Sequence, residues 1–283
     1  MTTATKTRPK PPPPSNGNGR AKQEPARAKK QFSVTKGVSR EFIKVGIYGK
    51  GGTGKTSLAL LLSKLGIKTL MIDLEGGSED FDVDARISSD QIETFEDLRD
   101  ILHDKELLAD YQAIIVDPLI NVQFKAAEYV LRTIKKVTKN GSYNVTNLRD
   151  YGWDDGSSHL YDTMQLFFAD LDIVNRTHHV VTVSHAIDDM AANATGDDFL
   201  AYFPLMNKSR KGDIRSRYRD WCNDLFFLEL ERHIDEKTGK VYGDGTRIIH
   251  PIEMPHAWAK SKKVKEDIVW AEGDPVLWEQ LLK

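Results

Sequence analysis

Hydrophobic and polar positions change their pattern at residue 42. Before it no apolar periodicity develops; after it, short apolar runs alternate with segments spaced for helices. Phe42-Ile43-Lys44-Val45-Gly46-Ile47-Tyr48 is a β-rich run that ends in a glycine loop. Ser57 to Leu65 has helical composition, with Gly66 placed as a C-terminal stop. Lys68-Thr69-Leu70-Met71-Ile72-Asp73 predicts a second strand, Thr94 to Leu108 a helix, and Ala113-Ile114-Ile115-Val116-Asp117 a third, nearly all-apolar strand. Val122 to Val137 reads as an amphipathic helix, and Lys139 to Asp155, rich in Gly, Asn and Asp, as a loop. His159 to Leu171 predicts a helix with Leu160, Met164, Phe167, Phe168 and Leu171 on its apolar side. His179 to His185 is a fourth strand and Leu225 to Glu231 a fifth. Turn residues fill Asp235 to Gly245, and Thr246 to Ile252 returns as a strand, which predicts a hairpin. Strands alternating with helices imply parallel βαβ units, and the late strands imply an antiparallel extension.

Charge changes this picture at the N-terminus. The 283 residues carry a formal net charge of -2, yet residues 1–40 hold ten Lys/Arg against Glu24 alone, and six of the 11 prolines. The rest holds 30 basic and 41 acidic residues, so a basic arm precedes an acidic domain. Lys10-Pro11-Pro12-Pro13-Pro14 and Ser15-Asn16-Gly17-Asn18-Gly19 cannot build a core. Residues 1–40 are therefore expected to be a disordered tail that solubilises the protein or tethers it to nucleic-acid phosphates, and residues 41–283 a single domain. No uninterrupted apolar run is longer than Leu58 to Leu62, far short of the ~20 residues that span a bilayer. The N-terminus lacks the apolar segment of a secretory signal. The lone cysteine, Cys222, makes no internal disulfide and gives no basis for a zinc cluster. A cytoplasmic protein without a membrane partner is expected.

The candidate chemistry lies in Gly49-Lys50-Gly51-Gly52-Thr53-Gly54-Lys55-Thr56, which fits G-x-x-x-x-G-K-[ST] at every fixed position, with Ser57 following. Glycines let successive backbone N–H groups point at one anion, and the helix that starts here adds its positive end. Lys55 is placed to reach the β- and γ-phosphates, and Thr56 to give its hydroxyl to Mg²⁺. A strand before and a helix after supply the context that the motif requires. A phosphate loop of this kind needs a carboxylate at the end of a neighbouring strand. Asp117 supplies it, where open α/β sheets bind ligands, and its expected role is to hold Mg²⁺ through water. Its alternative, a helix cap before Pro118, is common. ATP and Mg²⁺ are the expected cofactors.

Two family resemblances follow. Lys50-Gly51-Gly52-Thr53-Gly54-Lys55-Thr56 resembles the deviant phosphate loop of the ParA/MinD partition ATPases, whose extra lysine reaches a neighbour's nucleotide. Where that family continues with Asp-Pro, this chain has Glu75-Gly76-Gly77-Ser78 after Ile72-Asp73-Leu74. Leu70-Met71-Ile72-Asp73-Leu74-Glu75-Gly76-Gly77 resembles instead the second core strand of RecA-like ATPases. The order of phosphate loop, Glu75, Asp117 and a strand ending at His185 is similar to the phage AAA-domain ATPases, minimal RecA cores that act with single-strand annealing. Tyr151-Gly152, Asp224 before its strand, and Ala257-Trp258-Ala259-Lys260-Ser261-Lys262-Lys263 also fit that family, with Lys262 standing where it has arginine. The resemblance covers Phe42 to Val269 and implies a P-loop NTPase of α/β class. Its mostly parallel RecA-like sheet would be flanked by helices and extended by antiparallel C-terminal strands.

That resemblance implies roles. Glu75 would orient the attacking water, or else be a turn acid before Gly76-Gly77. His185 would sense the γ-phosphate, or else be satisfied by a backbone carbonyl. Lys260 and Lys262 would reach a neighbouring subunit's nucleotide in a homo-oligomer, or else form a solvated cluster. The long connection Ala186 to Asp213 would touch single-stranded DNA. It leads into Lys208, Arg210, Lys211, Arg215, Arg217 and Arg219, with Tyr202, Phe203 and Tyr218 as stacking faces. The expected enzyme is a DNA-stimulated ATPase in phage recombination or replication, partnered by a single-strand annealing or binding protein. A positioning ATPase of the ParA type and a non-catalytic nucleotide-binding adaptor are the alternatives. A RecA-like sheet puts one strand between the P-loop strand and the Asp117 strand; the ParA type makes them neighbours.

Overall fold

A computed structural model of the chain describes residues 41–193, 195–235 and 240–283, with Val34, Lys36 and Thr238. The tail expected at 1–40 lies outside the described residues apart from Val34 and Lys36. Strand β1 (Lys44–Gly49) leads through the glycine loop into helix α1 (Lys55–Leu60), which tightens into a 3-10 turn at Leu61–Leu65. There follow β2 (Thr69–Asp73), β3 (Ala85–Ile87), α2 (Phe95–His103), α3 (Lys105–Leu108), β4 (Ala113–Asp117) and α4 (Leu119–Thr133). A small hairpin, β5 (Lys136–Thr138) and β6 (Gly141–Tyr143), precedes α5 (Asp155–Val174) and β7 (His179–Ala191). The second half holds β8 (Phe199–Pro204), α6 (Ile214–Trp221), β9 (Asp224–Leu230), β10 (His233–Ile234), β11 (Val241–Tyr242), β12 (Arg247–His250), β13 (Ile268–Trp270) and α7 (Val276–Leu282).

The main sheet has the order β13-β12-β9-β1-β7-β4-β2-β3, with β8 paired to β7. From β9 to β3 neighbouring strands run parallel, whereas β12 and β13 pair antiparallel at one edge. β7 thus lies between β1 and β4, the RecA-like order; the neighbouring arrangement of the ParA type is not what forms. The protein is an α/β fold with a mostly parallel sheet flanked by helices and an antiparallel C-terminal extension.

Alternation along the central strands sets the layers. Tyr48, Ile114, Val116 and Val180 face the core shared with α2, α4, α5 and α6. Val45, Ile47, Ala113, Ile115, Val181 and Val183 face the core shared with α1 and α7. β2 and β4 are buried along their whole length, as parallel strands covered on both faces must be. At about 1.5–3 kcal/mol for each fully buried Leu, Ile or Val, these two apolar layers outweigh any ion pair in fixing the strand order.

Several elements differ from expectation for local reasons. The helix expected over Thr94 to Leu108 breaks at Asp104, whose side chain accepts from the Glu106 and Leu107 amides and starts α3. α4 stops at Thr133 because Lys136–Thr138 pairs with Gly141–Tyr143 inside the expected loop. The connection after His185 is a ribbon: β7 runs on to Ala191 and pairs antiparallel with β8. The expected late hairpin forms as β9–β12, with β10–β11 paired between them.

Candidate functional site

The sheet register brings the candidate residues to one end. Gly49 lies opposite His185, and Asp73 opposite Asp117. At Gly49 the chain passes so close to β9 that a Cβ would stand 2.1 Å from the Leu228 carbonyl, so only glycine fits there. The loop then closes on itself: the Lys50 carbonyl accepts from Thr53 Oγ1 at 2.9 Å and from Lys55 Nζ at 2.8 Å. Gly51 and Gly52 are exposed, and Thr53 and Lys55 are buried. No side chain caps α1 at Gly54, and no acid stands in its first turn, which includes Lys55, Thr56 and Ser57. The first amides are left for an anion. Burial lowers the Lys55 ammonium below its ordinary pKa, while Asp117 and Glu75 act to raise it, so both carboxylates lie within its field.

Thr56 Oγ1 donates to Asp117 Oδ2 at 2.5 Å. Asp117 makes no helix cap; α4 is preceded by Pro118 without a side-chain hydrogen bond. Burial pushes the Asp117 carboxyl up to about 6, against the hydrogen bond from Thr56 and the Lys55 charge. A buried carboxylate beside a hydroxyl is a hard-oxygen pair that suits Mg²⁺. Thr56 and Asp117 would hold that ion, which supplies charge neutralisation at the phosphate oxygens.

Glu75 stands at the end of β2 on a turn that Asp73 builds. Asp73 Oδ1 accepts from the Glu75 amide at 3.1 Å and the Gly76 amide at 2.8 Å. Its Oδ2 accepts from the Ser78 amide at 2.8 Å and the Ser78 hydroxyl at 2.5 Å. Leu74 is held on both sides, its N–H by the Asp117 carbonyl and its carbonyl by Asn121 Nδ2. Asp73 does the turn's work, which leaves the Glu75 carboxylate half-exposed with Oε2 3.2 Å from His185 Nε2. The His185 ring therefore meets a carboxylate rather than a backbone carbonyl. Glu75, His185, Lys55, Thr56 and Asp117 converge.

Other expected residues go elsewhere. Lys50 turns to the ribbon, where Nζ lies 3.0 Å from Asp188 Oδ2 and 4.8 Å from the Tyr202 ring centroid. Lys260 bridges Leu225, and the Lys262 amide bonds Asp224 Oδ1 at 3.2 Å. Asp224 and Leu225 pair with Val45 and Gly46 near the start of β1. Lys260 and Lys262 therefore do not join this chain's own pocket. The expected stacking faces are taken up within the fold: Phe203 and Tyr218 are buried, and the half-buried Tyr202 stacks on Phe227 at 5.3 Å. Most of the basic run is spent internally. Arg215 and Lys208 pair with Asp189, Lys211 with Asp155 and Arg219 with Glu253, and Arg217 donates to Gln165.

Sequence reasoning missed Trp153. It is 93% exposed, with φ +49, and Asp154 follows at φ +66. Left-handed backbone at two non-glycine residues costs about 1–3 kcal/mol each. Exposed Arg210 lines the same opening, with Asp154 and with Lys211, which is paired to Asp155. A tryptophan between a glycine and two aspartates was the only signal.

The strand order, the phosphate loop and the two strand-end acids define a P-loop ATPase-type protein with a RecA-like core. Within that class, the sequence profile of a family described as "AAA domain" matches residues 41–248, and the chain belongs to that family. No curated protein matches the sequence. Among solved structures it is similar to the RadB recombinase, at 16% identity and TM-score 0.37, over 74% of this chain and 80% of that one. It is also similar to an ATPase from the type III secretion system of pathogenic bacteria, at 10% identity and TM-score 0.34, over 65% and 50%. Among the described residues no helix is long and apolar enough to cross a membrane.

Proposed function

We propose that the protein hydrolyses ATP and that its turnover is coupled to single-stranded DNA, in the phage recombination or replication setting that its sequence resemblance implies. The observation that carries this reading is the Glu75–His185 pair at the mouth of the phosphate loop, with Lys55 in the field of both Glu75 and Asp117. Lys55 and the loop amides bind the phosphates. Glu75 orients a water and takes its proton, and His185 fixes the Glu75 carboxylate toward the reacting end. Trp153 with Arg210 supports a single-strand contact at an exposed aromatic face beside a cation, in place of the packed aromatics of the ribbon. Lys260 and Lys262 act in this reading only across an interface between copies.

The test is ATP turnover of wild type and Glu75→Gln, with and without a single-stranded oligonucleotide, at two salt concentrations. Glu75→Gln is expected to lose turnover roughly 100-fold or more while nucleotide binding persists. The oligonucleotide is expected to stimulate wild type, less so at high salt. Unchanged turnover in Glu75→Gln removes Glu75 from the chemistry; absence of stimulation removes DNA.

A further inference from the structure

The C-terminal segment returns to the phosphate loop and its helix at three points. Arg247, in β12, donates from Nε to the Thr53 carbonyl at 3.1 Å. Trp278, fully buried in α7, donates from Nε1 to the Leu58 carbonyl at 2.7 Å. Lys64 donates to the Gly273 carbonyl, also at 2.7 Å. The loop, the last turn of α1 and its 3-10 extension are thus each tied to residues 247–278.

Arg247 is itself held in place. It pairs with Trp270 across β12 and β13, with its guanidinium 5.8 Å from the ring centroid and Nη2 3.3 Å from Glu272. Trp270 is buried and donates to the Asp274 carbonyl at 2.9 Å. A Cβ added to Gly54 would stand 2.9 Å from the Trp270 ring and 3.3 Å from Arg247 Nε. Ring and guanidinium form the back wall of the loop, and Gly54 takes φ +92 against it.

We infer that Arg247 is a positioning residue for the nucleotide phosphates. A trans peptide carries its C=O and N–H on opposite sides. Holding the Thr53 carbonyl on the outside of the loop therefore turns the Gly54 N–H to the inside, where a nest of amides receives an anion. The inference rests on the nucleotide reading above and adds to it a part of the site that the motif does not contain. Trp270, Glu272 and Trp278 lie beyond residue 248, where the AAA-domain match ends. A protein cut at that boundary would keep Arg247 but lose the Trp270 ring and the Glu272 carboxylate that hold it.

The experiment uses the full chain with Arg247→Ala, Arg247→Lys and Glu272→Gln. Hydrogen exchange over residues 49–58 is measured without nucleotide, and ADP affinity by titration calorimetry. In Arg247→Ala, exchange over 49–58 is expected to accelerate while β4 stays protected, and ADP affinity to fall roughly tenfold to a hundredfold. Arg247→Lys keeps a donor and is expected to recover part of both; Glu272→Gln, which only loosens Arg247, is expected to shift both less. Unchanged exchange and affinity in Arg247→Ala overturn the inference, as does exchange that rises equally across the whole sheet. If Arg247→Ala does not fold, the Arg247→Lys and Glu272→Gln pair carries the comparison. If wild type binds no ADP while exchange still responds locally, the nucleotide reading fails and the brace stands.

Discussion

Asp73 accepts four hydrogen bonds within one turn, from the amides of Glu75, Gly76 and Ser78 and from the Ser78 hydroxyl. Burial alone would raise its pKa, but these bonds favour the charged form and hold it below the ordinary aspartate value. In Asp73→Asn an amide nitrogen would face donors that now meet an oxygen, so the turn would shift and carry Glu75 with it. The expected result is a fall in ATP turnover of roughly 10–100-fold with nucleotide affinity within roughly threefold of wild type, because misplacing a reacting group costs rate before binding. Steady-state kinetics beside equilibrium titration checks it; lost affinity with intact turnover would show that this turn does not place Glu75. The positions of the phosphate loop, Glu75 and Asp117 at one end of the sheet were legible in sequence because motif spacing and strand ends locate them. The contacts of Asp73 and Arg247 were not, since each depends on which backbone group comes within about 3 Å. Tyr218 and Phe203 misled for a related reason: an aromatic beside cations in sequence has the same composition whether it faces solvent or core.

The ribbon of β7 and β8 follows directly on the strand end that carries His185. Residues Ala186 to Ala191 find partners in Phe199 to Pro204, so the chain stays extended past the sheet instead of forming the expected loop. Lys50 joins this ribbon to the phosphate loop through Asp188 and Tyr202. Both charges are well exposed, at 40% and 39% of their side-chain surface, so the ion pair contributes on the order of 0–1 kcal/mol. Lys50→Ala is therefore expected to change nucleotide affinity less than roughly threefold, measured by titration calorimetry. A loss above roughly tenfold would return Lys50 to the phosphate ligands, as the ParA resemblance requires. Element identity was legible where periodicity is long, as in α5. It failed where one polar residue decides, as at Asp104, or where a strand needs a partner distant in sequence, as with β8.

At the scale of the whole molecule, two buried groups give stability the same slope with pH, in adjoining windows. The Asp117 carboxyl is raised to about 6 from an ordinary 3.8, so its contribution is full below pH 3.8 and is lost as pH rises through about 6. A shift of that size is worth about 3 kcal/mol. His250 sits between Glu229, 3.0 Å from Nε2, and Asp267, 3.0 Å from Nδ1, and ties β9 and β12 to the chain entering β13. Burial would lower its pKa, but the hydrogen bond from its ring to Glu229 and the Asp267 charge raise it overall. Its contribution is full below the ordinary 6.5 and is lost as pH rises through the raised value. Asp73, Asp189 and His179 have the opposite sign: all three are lowered, so the stability they give is present above 3.8 for the aspartates and above 6.5 for the half-buried His179, and is lost as pH falls through their folded values. Asp117 and His250 should therefore lower the melting temperature of the nucleotide-free protein as pH rises from about 5 to 8, against the His179 share, which acts below 6.5. Melting curves of wild type, Asp117→Asn and His250→Gln across that range separate the shares. Asp117→Asn should raise the melting temperature at pH 8 by roughly 5 °C or more and flatten the lower window alone. His250→Gln should lower it at pH 6 and flatten the upper window alone. Both residues lie on the sheet that frames the phosphate loop, but only Asp117 stands where a magnesium nucleotide can favour its charged form. Adding that ligand should therefore restore stability in the lower window and leave the His250 window in place. A pH profile of the melting temperature that is the same in Asp117→Asn and His250→Gln as in wild type would mean that neither burial shapes the energetics of this domain.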